Sequence, residues 1–362
     1  MKRIAVPAWC AAIALLFAAS CPAATDQRPL FPIVRGGMWG YMNRAGKVVI
    51  RPRFDGANYF SEGLGRVKIG FGEDAGYGYI DKAGRSVIKP QFSDAAEFSE
   101  RLAAVRVVKG ANERDDRWGY VNKKGKLVIP ARYFSPGVFH NGVARVYIKG
   151  PGDGRRLALI NRTGKTLESV IEYEGSRGFG YVILKGRSAI DRRALRSLHF
   201  SEGLAAAPTD EEYPKSGYVD ATGKVVIKPR FSSVQPFHEG LAAVRFPIDS
   251  GWGYIDKTGK TVIEPQFEHA ESFSDGLALV STSRPGQEII TLDDPDGHDT
   301  VSVNKRRYSF INSSGKAVLR LSYDRVESFR DGLARVWKYR PDIGGEPSYI
   351  DRTGKLVWKA ED

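Results

Sequence analysis

From Trp39 onward, apolar and polar residues alternate in short runs that glycine interrupts. Trp39, Tyr41 and Asn43 share one side of an extended segment, and Val48 and Ile50 share one side of the segment that follows. That period of two marks half-buried strands, and the glycine between them predicts a hairpin. The design recurs at Trp118-Gly119-Tyr120 and Trp252-Gly253-Tyr254, each followed by an Asn or Asp, a glycine and an aliphatic run. A pattern that keeps returning speaks of architecture before it speaks of a unique catalytic constellation.

Two positions index the repeat. A turn glycine falls at Gly46, Gly84, Gly125, Gly186, Gly223, Gly259 and Gly315, and 17 residues later comes a landmark at Gly63, Arg101, Gly142, Gly203, Gly240, Gly276 or Gly332. Except at Gly186, the residue three places before the turn glycine is an Asn or Asp: Asn43, Asp81, Asn122, Asp220, Asp256 or Asn312. Such side chains bond the amides of their own turn, and the glycine supplies a positive φ. Pro52, Pro90, Pro229 and Pro265 are expected to end the second strand, because proline donates nothing to a ladder. A third strand follows each landmark, with small residues (Gly65, Ala103, Ala144, Ala205, Ala242, Ala278, Ala334) that would let neighbouring repeats approach closely. The expectation is an all-β chain of tandem repeats, three antiparallel strands each.

Some repeats are incomplete. Leu157 to Ile171 reads as a hairpin without a third strand, Phe179-Gly180-Tyr181 restarts a full repeat around Gly186, and Tyr349 to Trp358 is a terminal hairpin with nothing after it. Phe31-Pro32-Ile33-Val34-Arg35 resembles the ends of third strands such as Val105-Arg106 and Val244-Arg245, and is expected to complete that terminal hairpin. The exchange would close a propeller-like ring and remove exposed edges; an open β-solenoid is the alternative.

Residues 25–362 read as a single repeat domain, interrupted at 281–305 by an inserted hairpin or loop. Residues 1–24 read as a signal peptide: Lys2 and Arg3 precede an apolar run, Ile4 to Ala19, and small residues end at Ala23 and Ala24. A periplasmic or extracellular protein is expected, or a lipoprotein anchored through Cys21; only lipidation would bring it to the membrane. The only cysteines, Cys10 and Cys21, lie in this leader, so the repeats hold no disulfide. The formal net charge of +13 at pH 7 favours anionic partners and solubility alike.

At Trp39-Gly40-Tyr41, Tyr254-Ile255-Asp256-Lys257-Thr258-Gly259-Lys260 and Ser274-Asp275-Gly276-Leu277-Ala278, the chain closely resembles the WG-repeat (KWG) proteins of bacteria. It departs from their pattern where Tyr77, Phe179 and Tyr308 replace tryptophan and Arg101 replaces the landmark glycine. The resemblance implies an exported repeat of binding or scaffold type with no assigned catalytic residue.

Candidate chemistry is sparse. Glu62, Glu100, Glu202, Glu239, Asp275 and Asp331 all precede a landmark, so they read as turn caps rather than general acids. His140 and His238 occupy an equivalent turn position, while His199 and His269 have no visible partner. The singular feature is Asp293-Asp294-Pro295-Asp296-Gly297-His298-Asp299, where Asp294, Asp296 and Asp299 could hold calcium. It lacks the closing glutamate of an EF-hand, since the twelfth position is Lys305. The other candidate is cationic: Arg66, Arg145 and Arg335 lie three residues after their landmark and Lys68, Arg106 and Arg245 five after, positions that share a strand face. Exposed aromatics could stack on sugars, but their recurrence marks most of them as core. The reading is a non-enzymatic binding or scaffold protein of the cell envelope for an anionic glycan or a protein, with nucleic acid disfavoured by export. The competing reading is an enzyme, hydrolase-like or metal-dependent, with its site in the 281–305 insertion or at the ring centre.

Overall fold

The structure is a computed structural model that describes residues 28–70, 75–107, 117–149, 155–167, 200–208, 215–247, 250–283, 288–294, 297–303, 306–338 and 346–359. All regular structure among them is β. The leader at 1–24 and the repeat around Gly186 lie outside the described residues.

The hairpin at Trp252 shows how the local sequence folds. Asp256 Oδ1 accepts the amides of Thr258 (2.9 Å) and Lys260 (3.0 Å), and Gly259, at φ 86°, returns its own amide to the Asp256 carbonyl. The register pairs Trp252 with Phe267 and Tyr254 with Ile263, so Glu264-Pro265-Gln266 bulge over the single residue Gly253. A β-carbon at Gly253 would lie 2.5 Å from the Ile263 carbonyl oxygen. The glycine of each Trp-Gly pair is therefore demanded by the bulge opposite. Pro265 sits in the bulge within the strand Thr261–Phe267, as do its equivalents in theirs, so these prolines do not end the second strand as expected; the bulge leaves their missing N–H unneeded.

Hairpins of this kind, around Gly46, Gly84, Gly125, Gly164, Gly223, Gly259, Gly315 and Gly354, each head one small antiparallel sheet, numbered here as blades one to eight. In the third blade the order is Leu127–Tyr133, Arg117–Asn122, Leu102–Val107 and the short Asp94–Ala95. The landmark strand Leu102–Val107 thus pairs with the hairpin that follows it in sequence. Each blade after the first draws strands from two successive repeats, and each repeat crosses from one blade to the next.

That phase corrects three expectations. Leu30–Arg35 pairs with Met38–Asn43 of its own blade, not with the terminal hairpin. Ser348–Asp351 pairs instead with Leu333–Trp337, and the hairpin around Gly164 has its third strand in Val143–Lys149. No strand is missing from either.

Apolar clusters lie between blades. Tyr120, Ile129 and Tyr133 of the third pack with Ala144 and Val146 of the fourth, and Tyr254, Ile263 and Phe267 of the sixth with Ala278 and Val280 of the seventh. The small-residue column is what admits the neighbour. Five junctions carry the same hydrogen bond: the hydroxyls of Tyr41, Tyr79, Tyr120, Tyr218 and Tyr254 donate to the carbonyls of Asn58, Ala96, Gly137, Gln235 and Glu271 in the following blade at 2.7–2.8 Å. Burial pushes these phenols far above their ordinary pKa, so they remain donors.

The last blade closes on the first. Tyr349 donates to the Pro32 carbonyl (2.7 Å), Phe31, Ile33 and Met42 pack with Leu333, Tyr349 and Trp358, and Gly46 abuts the Val357 carbonyl. The described residues form an eight-bladed β-propeller ring, sealed at this seam among them by packing without a shared strand, and the open solenoid is set aside. Val49, Val87, Val128, Val226, Val262 and Val318 are exposed at one edge of their blades, whereas near the short strands successive blades touch, as where Ser99 Oγ meets the Phe139 carbonyl (2.8 Å). Blades converge where they touch, so the short strands face the hub. In the insertion, Glu288–Asp294 and Gly297–Val303 form a separate two-stranded hairpin between strands of the seventh blade.

Candidate functional site

The recurring acids are structural, and they act across blades. Glu62, Glu100, Glu202, Glu239, Asp275 and Asp331 all have φ between 49° and 55°, the first left-handed position of a tight turn whose second is the landmark. Five of their carboxylates accept the landmark amide of the next blade: Glu62 from Arg101 (3.0 Å), Glu100 from Gly142 (2.9 Å), Glu202 from Gly240 (3.1 Å), Glu239 from Gly276 (3.0 Å) and Asp275 from Gly332 (2.6 Å). They cap turns as expected, but a neighbour's turn rather than their own. Lys123 and Lys257 add ion pairs to Glu62 (3.0 Å) and Glu202 (2.8 Å).

The five candidate arginines stand on five different blades. Arg106 in the third blade and Arg145 in the fourth are half-buried, and Arg245 in the sixth is exposed. Arg66 and Arg335, from the second and eighth blades, do meet. Together with Trp39, Asp55, Tyr59, Lys68 and Tyr77 they line a cavity of about 400 Å³ at the seam. Arg66 donates to the Ala95 carbonyl, lies 3.8 Å from Asp94 and stacks 5.1 Å from the Tyr77 ring centre. Arg335 is held by Glu327 (2.7 Å) and lies 5.0 Å from the Tyr59 ring. Lys68 Nζ sits 5.9 Å from Tyr77.

Tyr59 was not singled out from the sequence. Its position, just before the phenylalanine of the Phe-Ser-Glu-Gly motif, is Glu97, Val138, His199, Pro236, Ser272 and Ser328 elsewhere, and the tyrosine, found there alone, was the available signal. Burial raises its phenol pKa, against which Arg335 acts.

A second cavity, of about 460 Å³, is lined by Gln235, His238, His269, Glu271, Ser274 and Ser328 among others. His269 is thus not isolated: its Nε2 lies 3.9 Å from Glu271, and its ring packs edge-on to Trp252. Ser328 Oγ donates to the other oxygen of Glu271. The Glu271 carboxylate stands between Ser328 and the His269 imidazole, so these three are not in the order of a serine activated by an imidazole.

In the insertion, register opposes Asp294 to Gly297 and Leu292 to Asp299, while Asp296 lies outside the described residues. No group of three or more His, Cys, Asp or Glu placed to hold a metal occurs among the described residues.

Comparison with known proteins bears on the fold. A comparison with curated protein sequences gives no significant match. Among solved structures, the chain is similar to prolyl oligopeptidase B from Galerina marginata, at TM-score 0.48 and 8% identity over 84% of this chain and 50% of that one. It is also similar to an uncharacterized protein from Listeria monocytogenes EGD-e, at TM-score 0.45 and 9% identity over 92% and 95% of the two chains. A third likeness is to the β-propeller domain of the trilobed protease from Pyrococcus furiosus, at TM-score 0.43 and 9% identity over 93% and 100%. The chain spans about half the length of the Galerina marginata peptidase chains it matches. The WG containing repeat family matches at residues 39–70, 77–107, 118–150, 217–246, 252–282 and 308–337, more than half of the chain. These segments hold the bulged Trp-Gly hairpins and landmark turns from which the ring is built, and the chain belongs to the WG containing repeat family.

Proposed function

We propose that this chain is a binding protein without catalytic activity, exported through the leader at residues 1–24, whose rigid ring holds an anionic glycan in the cell envelope. The observation that carries the reading is the seam cavity, where Arg66, Lys68 and Arg335 stand against one carboxylate, Asp55, beside Trp39, Tyr59 and Tyr77. Cations with aromatic faces suit acidic sugars, which combine negative charge with apolar ring faces. The recurring acids are occupied in holding blades together, and the serine, carboxylate and imidazole of the second cavity are in an order that activates no nucleophile. The net positive charge favours the same class of partner.

The test is capture of acidic and of neutral polysaccharides of matched length by the immobilised protein. Acidic chains should be retained and neutral ones not, with retention falling at least tenfold between about 50 mM and about 500 mM salt as screening shortens the reach of the cations. Equal retention of both classes, or retention of neither, overturns the reading.

A further inference from the structure

The junction between the eighth and first blades is built differently from the others. The first blade, like the fourth and fifth, has three strands and no short hub strand among the described residues. The hub strand of the second blade, Gly56–Ser61, runs six residues where Asp94–Ala95, Ser233–Val234, His269–Ala270 and Arg325–Val326 run two. Its excess length carries Tyr59 past the first blade to the eighth, where Arg330 and Arg335 approach the ring to 4.4 and 5.0 Å. Tyr59 also packs edge-on to Phe31 at 6.5 Å. The seam cavity opens beside this contact, so its walls come from three blades: Trp39 from the first, Asp55, Arg66, Lys68 and Tyr77 from the second, and Arg335 from the eighth.

We infer that this cavity is a subsite for a carboxylate-bearing sugar, a hexuronate unit of a glycan, and that its occupation holds the ring shut at the seam. The inference rests on the binding role proposed above and assigns it a site and a ligand class. The charge inventory selects a monoanion. Glu327 holds Arg335, and Asp94 lies near Arg66, which leaves a modest positive excess on the cavity wall. Asp55 in the same wall repels a doubly charged phosphate monoester, while its carboxylate, with Oδ2 held by the Gly70 amide at 2.8 Å, keeps acceptor capacity for sugar hydroxyls. Lys68 is held by nothing stronger than the Tyr77 ring face among the described residues, and the buried Arg66 Nε has no acceptor there. Tyr59 is covered by guanidinium groups, so Trp39 is the ring left to meet a sugar face. The cavity volume, about 400 Å³, lies within the range of small-ligand sites.

The experiment titrates the full chain with tetragalacturonate, with maltotetraose as the neutral match and inorganic phosphate as the bare anion. Affinity is read by calorimetry and amide exchange by mass spectrometry. The uronate should bind while maltotetraose and phosphate, at tenfold higher concentration, do not. Binding should slow exchange in Leu30–Arg35 and Ser348–Asp351, the strands on either side of the seam. Lys68→Gln should weaken it at least fivefold with an unchanged melting temperature; Arg66→Gln is the less clean variant because Arg66 also ties the second blade to the third. Phosphate binding as tightly as the uronate, or unchanged exchange at the seam, overturns the inference. If Lys68→Gln retains full uronate affinity, the site is wrong and the binding role stands. If no acidic polysaccharide is captured at all, both fall.

Discussion

At the scale of the residue, two kinds of glycine serve two different physical needs, and substitution separates them. Gly253 has an ordinary φ but no room: a β-carbon would meet the Ile263 carbonyl oxygen at 2.5 Å and the Pro265 nitrogen at 2.9 Å. Gly240 has room, with nothing within 4 Å, but stands at φ 84°. Gly240→Ala therefore faces only a left-handed backbone, about 1–2 kcal/mol. Gly253→Ala must push apart two paired strands at the bulge and is expected to cost about 2–3 kcal/mol, at the upper end for overpacking. Urea denaturation of both variants checks the order, and a Gly253→Ala protein as stable as wild type would remove the bulge from the account of the Trp-Gly motif. The acids at the landmark turns add to the picture. Glu239 tolerates φ 55°, where glycine would be cheaper, and its carboxylate reaches the Gly276 amide of the next blade.

Between elements, the junction is the repeated unit of stability. A tyrosine hydroxyl crosses it to a backbone carbonyl, the ring beside it packs on a phenylalanine of the next blade, as Tyr254 does on Phe273 at 5.1 Å, and a carboxylate crosses it near the landmark turn. Phe310 takes the tyrosine place in the seventh blade and keeps the aromatic pair, with Phe329 at 4.4 Å, while forgoing the hydroxyl. A junction thus survives on packing, and the hydrogen bond adds to it. Tyr254→Phe keeps the packing and leaves the Glu271 carbonyl without that donor, for an expected loss of about 1–2 kcal/mol. Amide exchange should rise in Trp252–Asp256 and Ala278–Ser283 and stay unchanged in the second and third blades; a uniform rise would mean that the junctions are not separable.

For the whole molecule, acidity addresses one blade junction and three hairpin turns together. Lys257 and the Gly240 amide hold Glu202 below the ordinary carboxylate pKa, and a threonine hydroxyl does the same for Asp220, Asp256 and Asp351 from Thr222, Thr258 and Thr353. A carboxyl whose pKa is lower folded than unfolded contributes stability at neutral pH and loses it as pH falls through the folded value. The urea midpoint is expected to be flat above about pH 5 and to drop steadily below about pH 4.5. A midpoint unchanged down to about pH 3 would show that these bonds carry no net stability. The seam belongs to this scale too. With no strand shared between the first and last blades, closure depends on Tyr349, Phe31, Trp358 and the Tyr59 contact with Arg335.

Strand positions, Asx turns, positive-φ glycines and the small-residue column could all be read from the sequence, because each is set by a residue and its near neighbours. Asp256 and Gly259 close their turn within four residues, and the alternation around Tyr254 needs only the period of a strand. The expectation that candidate arginines would line a ring surface came from the same periodicity, and the structure places Arg66 and Arg335 on the wall of one cavity. Pairing phase was not legible, because a third strand has backbone groups that satisfy the hairpin before it or the one after it equally well. The Ala242 side chain decides it by packing between Tyr218 and Phe231 of the preceding blade while its strand pairs forward with Trp252–Asp256. The seam cavity was illegible for the same reason: Trp39, Tyr59, Lys68 and Arg335 are separated in sequence by up to most of the chain, and ring closure alone makes them neighbours.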